Sequence, residues 1–128
     1  MGSEPTEITN TWVRIWENDK GKCHREDGPA VTYSDGEQHW YINGNLHRED
    51  GPAAIYPDVG QFWFINGKRH REDGPAAIYS NGGQFWNING HDITYEITEW
   101  AKDRDIDLDN LSEIDKMIIR LEWGNYGK

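Results

Sequence analysis

A chain of 128 residues is long enough for one modest core and too short for two independent ones, so one folded domain with an appendage is expected. Its 23 acidic and 13 basic side chains give a formal net charge of -10, which disfavours direct nucleic-acid or anionic-membrane binding and favours a partner protein with a basic surface. The single cysteine, Cys23, excludes an internal disulfide and a cysteine metal tetrad; no run approaches the roughly 20 apolar residues of a membrane span, and the start Met1-Gly2-Ser3-Glu4 lacks the basic and apolar regions of a secretory signal. A cytoplasmic protein without a cofactor is the expectation.

Residues 1–10 are polar, contain Pro5 and are expected to form a flexible N-terminus. Residues 11–16 are β-prone, with Trp12, Arg14 and Trp16 on one face, and residues 17–22 read as a turn. One phrase then occurs three times: His-Arg-Glu-Asp-Gly-Pro-Ala begins at His24, His47 and His70, a fixed interval of 23 residues that Trp40, Trp63 and Trp86 also keep. Such a period marks an array of one supersecondary unit. Each unit has a short β-prone run (from Ala30, Ala53 or Ala76), a turn with Gly36, Gly60 or Gly82-Gly83, and a returning run through Trp40, Trp63 or Trp86 to Asn-Gly. Gly and Asn at these turns supply the positive φ of tight hairpins, and the proline lacks a donor, which suits the beginning of a strand. The expected fold is mainly β: an antiparallel meander of 23-residue hairpins over residues 11–91, about seven strands in all, followed by a helical cap over residues 92–128.

The pattern Trp-x-x-Asn-Gly-x-x-His, followed by Gly-x-Ala, a tyrosine, a glycine turn and the next tryptophan, resembles the MORN repeat across residues 12–91. Where that family has His-Gly-x-Gly, this chain has His-Arg-Glu-Asp-Gly-Pro-Ala, similar to the MORN-variant repeats of small bacterial and bacteriophage proteins. The resemblance implies architecture first, because MORN-like proteins include membrane-associated, scaffolding and dimerising members. Its bacteriophage form implies an accessory inhibitor that binds a host or defence protein.

After Gly90 the period breaks, and Thr94 stands where the motif arginine is due. Residues 94–102 place Ile97, Trp100 and Ala101 at helical spacing behind Ile93. An acidic connector, residues 103–110, leads to Ser112, a helix N-cap followed by Glu113 and Asp115; Leu111, Ile114, Ile118 and Leu121 then recur at helical spacing up to Trp123, with Gly124 and Gly127 as the stop.

Three candidate sites emerge. The repeated His24/Glu26/Asp27, His47/Glu49/Asp50 and His70/Glu72/Asp73 sets suggest a metal-dependent hydrolase, but catalysis needs one constellation of unlike groups, and a residue required in every unit is most simply required to build it. No catalytic or metal-binding residue is therefore assigned. By strand alternation Trp40 and Ile42, Trp63 and Ile65, and Trp86 and Ile88 share a core face, while His39, Tyr41, Phe62, Phe64, Phe85 and Asn87 face the other way. That mostly aromatic stripe, left open, would be a protein-binding surface. Asp103, Asp105, Asp107 and Asp109 complete it with an acidic patch toward a basic partner, residues 92–128 carrying ten acids against five bases. The expected function is a non-catalytic protein-binding module; a scaffold or homodimer and the metal hydrolase are the alternatives. Cys23 takes the place that Leu46 and Arg69 occupy in later units.

Overall fold

The structure is a computed structural model and describes residues 5–127. It is mainly β with two C-terminal helices. Strand β1 (Thr6–Thr9) pairs antiparallel with β2 (Val13–Glu17). Part of the stretch expected to be flexible is therefore strand: Ile8 lies opposite Ile15, Glu7 meets Arg14 Nε at 2.6 Å, and Asn10 Oδ1 accepts the N–H groups of Trp12 and Val13 to close the turn. Residues 1–4 lie outside the described part.

Each repeat unit builds two hairpins rather than one. In the first unit β3 (Val31–Tyr33) pairs with β4 (Gln38–His39), the chain turns a corner at Trp40, and β5 (Tyr41–Ile42) pairs with β6 (Asn45–Leu46). The second unit repeats this with β7 (Ala54–Tyr56), β8 (Gly60–Phe62), β9 (Phe64–Ile65) and β10 (Lys68–Arg69), and the third with β11 (Ala77–Tyr79), β12 (Gln84–Phe85), β13 (Asn87–Ile88) and β14 (His91–Asp92). The result is one eight-stranded sheet in the order β1-β2-β3-β4-β7-β8-β11-β12 beside three two-stranded hairpins, β5–β6, β9–β10 and β13–β14. The tryptophan makes the corner because its two backbone groups serve different layers. Trp40 N–H donates to Ala53 C=O at 2.7 Å in the sheet, and its C=O accepts from His47 N–H at 3.0 Å in the hairpin; Trp63 does the same with Ala76 and His70. Asn43 and Gly44, at φ 49° and 83°, close the small hairpin with the two consecutive positive-φ residues its turn demands, as do the Asn-Gly pairs at 66 and 89.

Ala30, Ala53 and Ala76 are completely buried, so a larger side chain at these positions would overpack the interior. The largest core lies at the C-terminal end. There Trp86 and Ile88 pack against Ile93, Ile97, Trp100 and Ala101 around helix α1 (Thr94–Asp103), and against Ile119 and Trp123 of α2 (Glu113–Trp123). Ser112 caps α2 in a full capping box with Asp115. No described helix is long and apolar enough to cross a membrane.

Two expectations change. Trp86 and Ile88 are core, but Trp40, Ile42, Trp63 and Ile65 are only half-buried, because no layer covers their face in the earlier units. In α2 the buried residues are Ile119 and Trp123, four apart; of the row at helical spacing only Leu111, ahead of the helix, packs against the core, while Ile114, Ile118 and Leu121 are 68, 36 and 77% exposed, and Met117 beside them 55%. The helix offers two apolar rows on opposite sides, and the one that carries Trp123 packs with Trp86 and Ile88.

Candidate binding surface

The repeated motif is consumed by construction of the array. His24, His47 and His70 each accept a hydrogen bond at Nδ1 from the N–H of Asn43, Asn66 or Asn89 in the next Asn-Gly turn, at 2.9, 3.0 and 3.0 Å. This fixes the tautomer with the proton on Nε2, which lies 3.7–3.8 Å from Glu26, Glu49 or Glu72. Arg25, Arg48 and Arg71 lay their guanidinium groups over Trp16, Trp40 and Trp63, at 4.6, 4.0 and 4.1 Å from the ring centroids. Each Nε is held by Asp27, Asp50 or Asp73 at 2.9–3.0 Å, and each terminal N–H by the carbonyl of Pro29, Pro52 or Pro75 at 3.1–3.3 Å. The following glycine leaves space for the plate, since a Cβ at Gly51 or Gly74 would lie 2.8 or 2.7 Å from the guanidinium carbon. In the last unit Thr94 replaces the arginine, its hydroxyl accepting from Trp86 N–H at 2.9 Å, and the helices cover the indole instead.

A groove of about 690 Å³ between the second and third motifs is lined by these same arginines, acids and Trp63, with Arg120 of α2 3.6 Å from Glu72. Among the described residues no three His, Cys, Asp or Glu side chains converge as metal ligands. The ladder that the hydrolase reading requires is thus spread along the array, each histidine tied to its own turn.

The opposite face carries a continuous chain of rings. Tyr33, His39, Tyr56, Phe62, Tyr79 and Phe85 meet edge to face in that order, with centroids 6.1, 5.2, 5.8, 5.2 and 5.9 Å apart. Strand pairing sets this up by placing small residues opposite large ones: Ala54 pairs with both His39 and Phe62, and Ala77 with both Phe62 and Phe85. The six ring-face candidates consequently differ. His39, Phe62 and Asn87 are buried, and of these only Phe62 borders the open groove described below; Tyr41 and Phe64 are half-buried, and Phe85 is 42% exposed. His39 also holds Glu37 at 2.8 Å, and Asn87 Oδ1 is buried without a hydrogen-bond partner.

What is open on this face is a groove of about 460 Å³ between the sheet and the small hairpins, lined by Leu46, Ala54, Tyr56, Val59, Phe62, Phe64, Arg69 and Tyr79. The helices do not line it. Burial raises the Tyr56 phenol above its usual value, with the Glu37 carboxylate adding to the effect; Tyr41 is raised by burial first and then by Cys23, and the Cys23 thiol by burial and then Glu17. Tyr33, Tyr56, Tyr79 and Arg69 are not among the sequence candidates, which lie on the returning strand of each unit. Tyr33, Tyr56 and Tyr79 keep the 23-residue interval and were the available signal.

Asp103, Asp105, Asp107 and Asp109 are all exposed, with Asp107 Oδ1 accepting from Asp109 N–H at 2.9 Å. None lines the aromatic groove, so the acidic connector and the rings are not one continuous lining.

Fold and surface together define a hairpin-repeat array closed at one end by two helices, with one ring-lined face left uncovered. Comparison with protein-family models, with characterised proteins and with solved structures gives no match, so the function is read from this geometry alone.

Proposed function

We propose that the chain is a protein-binding module without chemistry of its own, which seats a partner on the uncovered aromatic groove and occludes the surface it covers. The observation that carries this reading is the groove between Tyr56, Phe62, Phe64 and Tyr79, an apolar concavity that no described element fills. The commitment of the repeated His, Arg and Asp side chains to array contacts supports a binding role over a chemical one. The charge of -10, with the acidic connector exposed, supports steering toward a basic surface around the groove. The resemblance to variant repeats of bacteriophage proteins supports occlusion of a host or defence protein as the outcome.

The test is capture from host lysate at low and moderate salt, identification of a stoichiometric partner, and measurement of its affinity for Phe64→Ser. Phe64 is half-buried at the groove, so the substitution is expected to weaken binding at least about tenfold while the far-ultraviolet spectrum persists. Undiminished affinity with Phe64→Ser refutes the groove as the site.

Self-association is a second reading that one observation favours, the exposed stripe Ile114, Met117, Ile118 and Leu121 on α2. Sedimentation equilibrium of the wild type and of Leu121→Lys decides it: a dimer lost in the variant supports it, and a monomer at high concentration removes it.

A further inference from the structure

An internal repeat supplies its own control. Residues that every unit keeps build the unit, and a position that changes from unit to unit is free to carry specificity. The position shared by Cys23, Leu46 and Arg69 differs in every unit, from thiol to isobutyl to guanidinium, and Leu46 and Arg69 line the aromatic groove.

Arg69 is unlike every other arginine of the described chain. Arg14, Arg25, Arg48, Arg71 and Arg120 each meet a carboxylate, and Arg104 donates to the Trp100 carbonyl. Among the described residues the Arg69 guanidinium has neither a carboxylate nor a hydrogen-bond partner, although the chain carries 23 acids. Its guanidinium carbon lies instead 5.2 Å from the Phe62 ring centroid and 5.8 Å from that of Phe64, half-buried in the groove lining. A guanidinium partly withdrawn from water and lying against rings retains a planar fork of donors that a carboxylate satisfies with two parallel bonds. Around it, Leu46, Val59, Phe62 and Phe64 offer apolar contact. The Tyr56 and Tyr79 hydroxyls, which form no hydrogen bond within the described chain, add donors suited to peptide carbonyls.

We infer that this groove selects a peptide segment of the partner in which a large apolar side chain stands beside a carboxylate, the ring or aliphatic group entering between Phe62, Phe64 and Tyr79 and the carboxylate pairing with Arg69. The inference rests on the groove being the binding site proposed above and adds the chemistry it recognises. It also fits the charge of the whole: a local basic point in an acidic protein rejects acidic surfaces in general while accepting one acid in register with an apolar neighbour.

The probes are three blocked hexapeptides, Gly-Ser-Phe-Asp-Ser-Gly and its counterparts with Asn or Lys in place of Asp, titrated to millimolar concentration against the isotope-labelled full chain and followed by amide and aromatic shifts. The Asp peptide is expected to shift groove resonances with an affinity about tenfold above the Asn peptide, and the Lys peptide to bind still less. In Arg69→Leu the Asp and Asn peptides should bind alike. That variant places at 69 the residue already present at 46, so the array accommodates it. Equal affinities of the Asp and Asn peptides for the wild type overturn the inference and leave the groove as a binding site. A preference that survives in Arg69→Leu overturns the assignment to that side chain. Absence of groove shifts with all three peptides overturns both the inference and the reading beneath it.

Discussion

Replacing Gly51 by alanine isolates the stacked arginine of the second unit. The added Cβ would sit 2.8 Å from the Arg48 guanidinium carbon and 3.1 Å from two of its nitrogens, closer than real contacts permit, and no positive φ adds backbone strain at this residue. The flexible partner yields, so the guanidinium should leave Trp40 and release Asp50 and the Pro52 carbonyl. A cation–π contact at a partly exposed site contributes about 0.5–1 kcal/mol and the hydrogen bond to the carbonyl about 1 kcal/mol. The pair with Asp50 adds little, because that side chain is 87% exposed. The loss is then about 1.5–2 kcal/mol, reduced by the roughly 0.4–1 kcal/mol that alanine gains over glycine through the unfolded chain. Gly51→Ala should cost about 1 kcal/mol, or a midpoint drop of about 4 °C for a domain of this size.

The decisive experiment is the double-mutant cycle with Arg48→Ala, read by urea denaturation and tryptophan fluorescence. Once the arginine is gone the clash is gone, and Gly51→Ala should turn stabilising by up to about 1 kcal/mol. Additive effects, with Gly51→Ala equally harmful in both backgrounds, would refute the sandwich of ring, guanidinium and glycine.

Phe62→Ser should lower stability by about 3–5 kcal/mol, whereas Phe85→Ser should cost less than about 1 kcal/mol, since Phe62 is 7% exposed and Phe85 42%; comparable thermal midpoints would contradict the burial of the central ring. Tyr56 and Tyr41 have folded-state phenol pKa values above the unfolded value, so folding favours their neutral forms. Their contribution is present below about pH 10 and lost as pH rises through the higher folded values. An ultraviolet titration should show delayed ionisation, and Tyr56→Phe should lessen the alkaline loss of stability; a tyrosine titration identical in folded and unfolded protein would sink this.

What was legible in the sequence was local. The 23-residue interval, the Asn-Gly turns, the first helix behind Ile93 and the Ser112 cap all depend on neighbours a few residues away, and the structure bears out each one. The corner at Trp40 was not legible, because it arises from bonds to Ala53 and His47 in two different layers; alternation still holds across it, since Phe62 and Phe64 line one groove and Trp63 and Ile65 the other. For α2, periodicity alone does not say which of two apolar rows meets the sheet. The candidate site was half visible: the returning strands pointed to the ring face, but Ala54 and Ala77 on the neighbouring strands decide that Phe62 is enclosed while Tyr56, Phe64 and Arg69 border the open groove. The motif histidines and arginines make contacts within the array, as their repetition implies, but the stacking of arginine on tryptophan has no signature in the spacing.

The two ends of the array are unequally fastened. The C-terminal end is bolted by Ile88, Ile93, Ile97 and Ile119, none of which is exposed, while at the N-terminal end all four residues of β1 face solvent and Trp12 is 71% exposed. A molecule built this way opens from one side, like a row of tiles loosened at its free margin. Amide hydrogen exchange should be fastest at β1 and slow progressively toward Ile88, with fluorescence from Trp12 changing before that from Trp123 as denaturant rises. The aromatic groove lies between those extremes, lined mostly by the second unit.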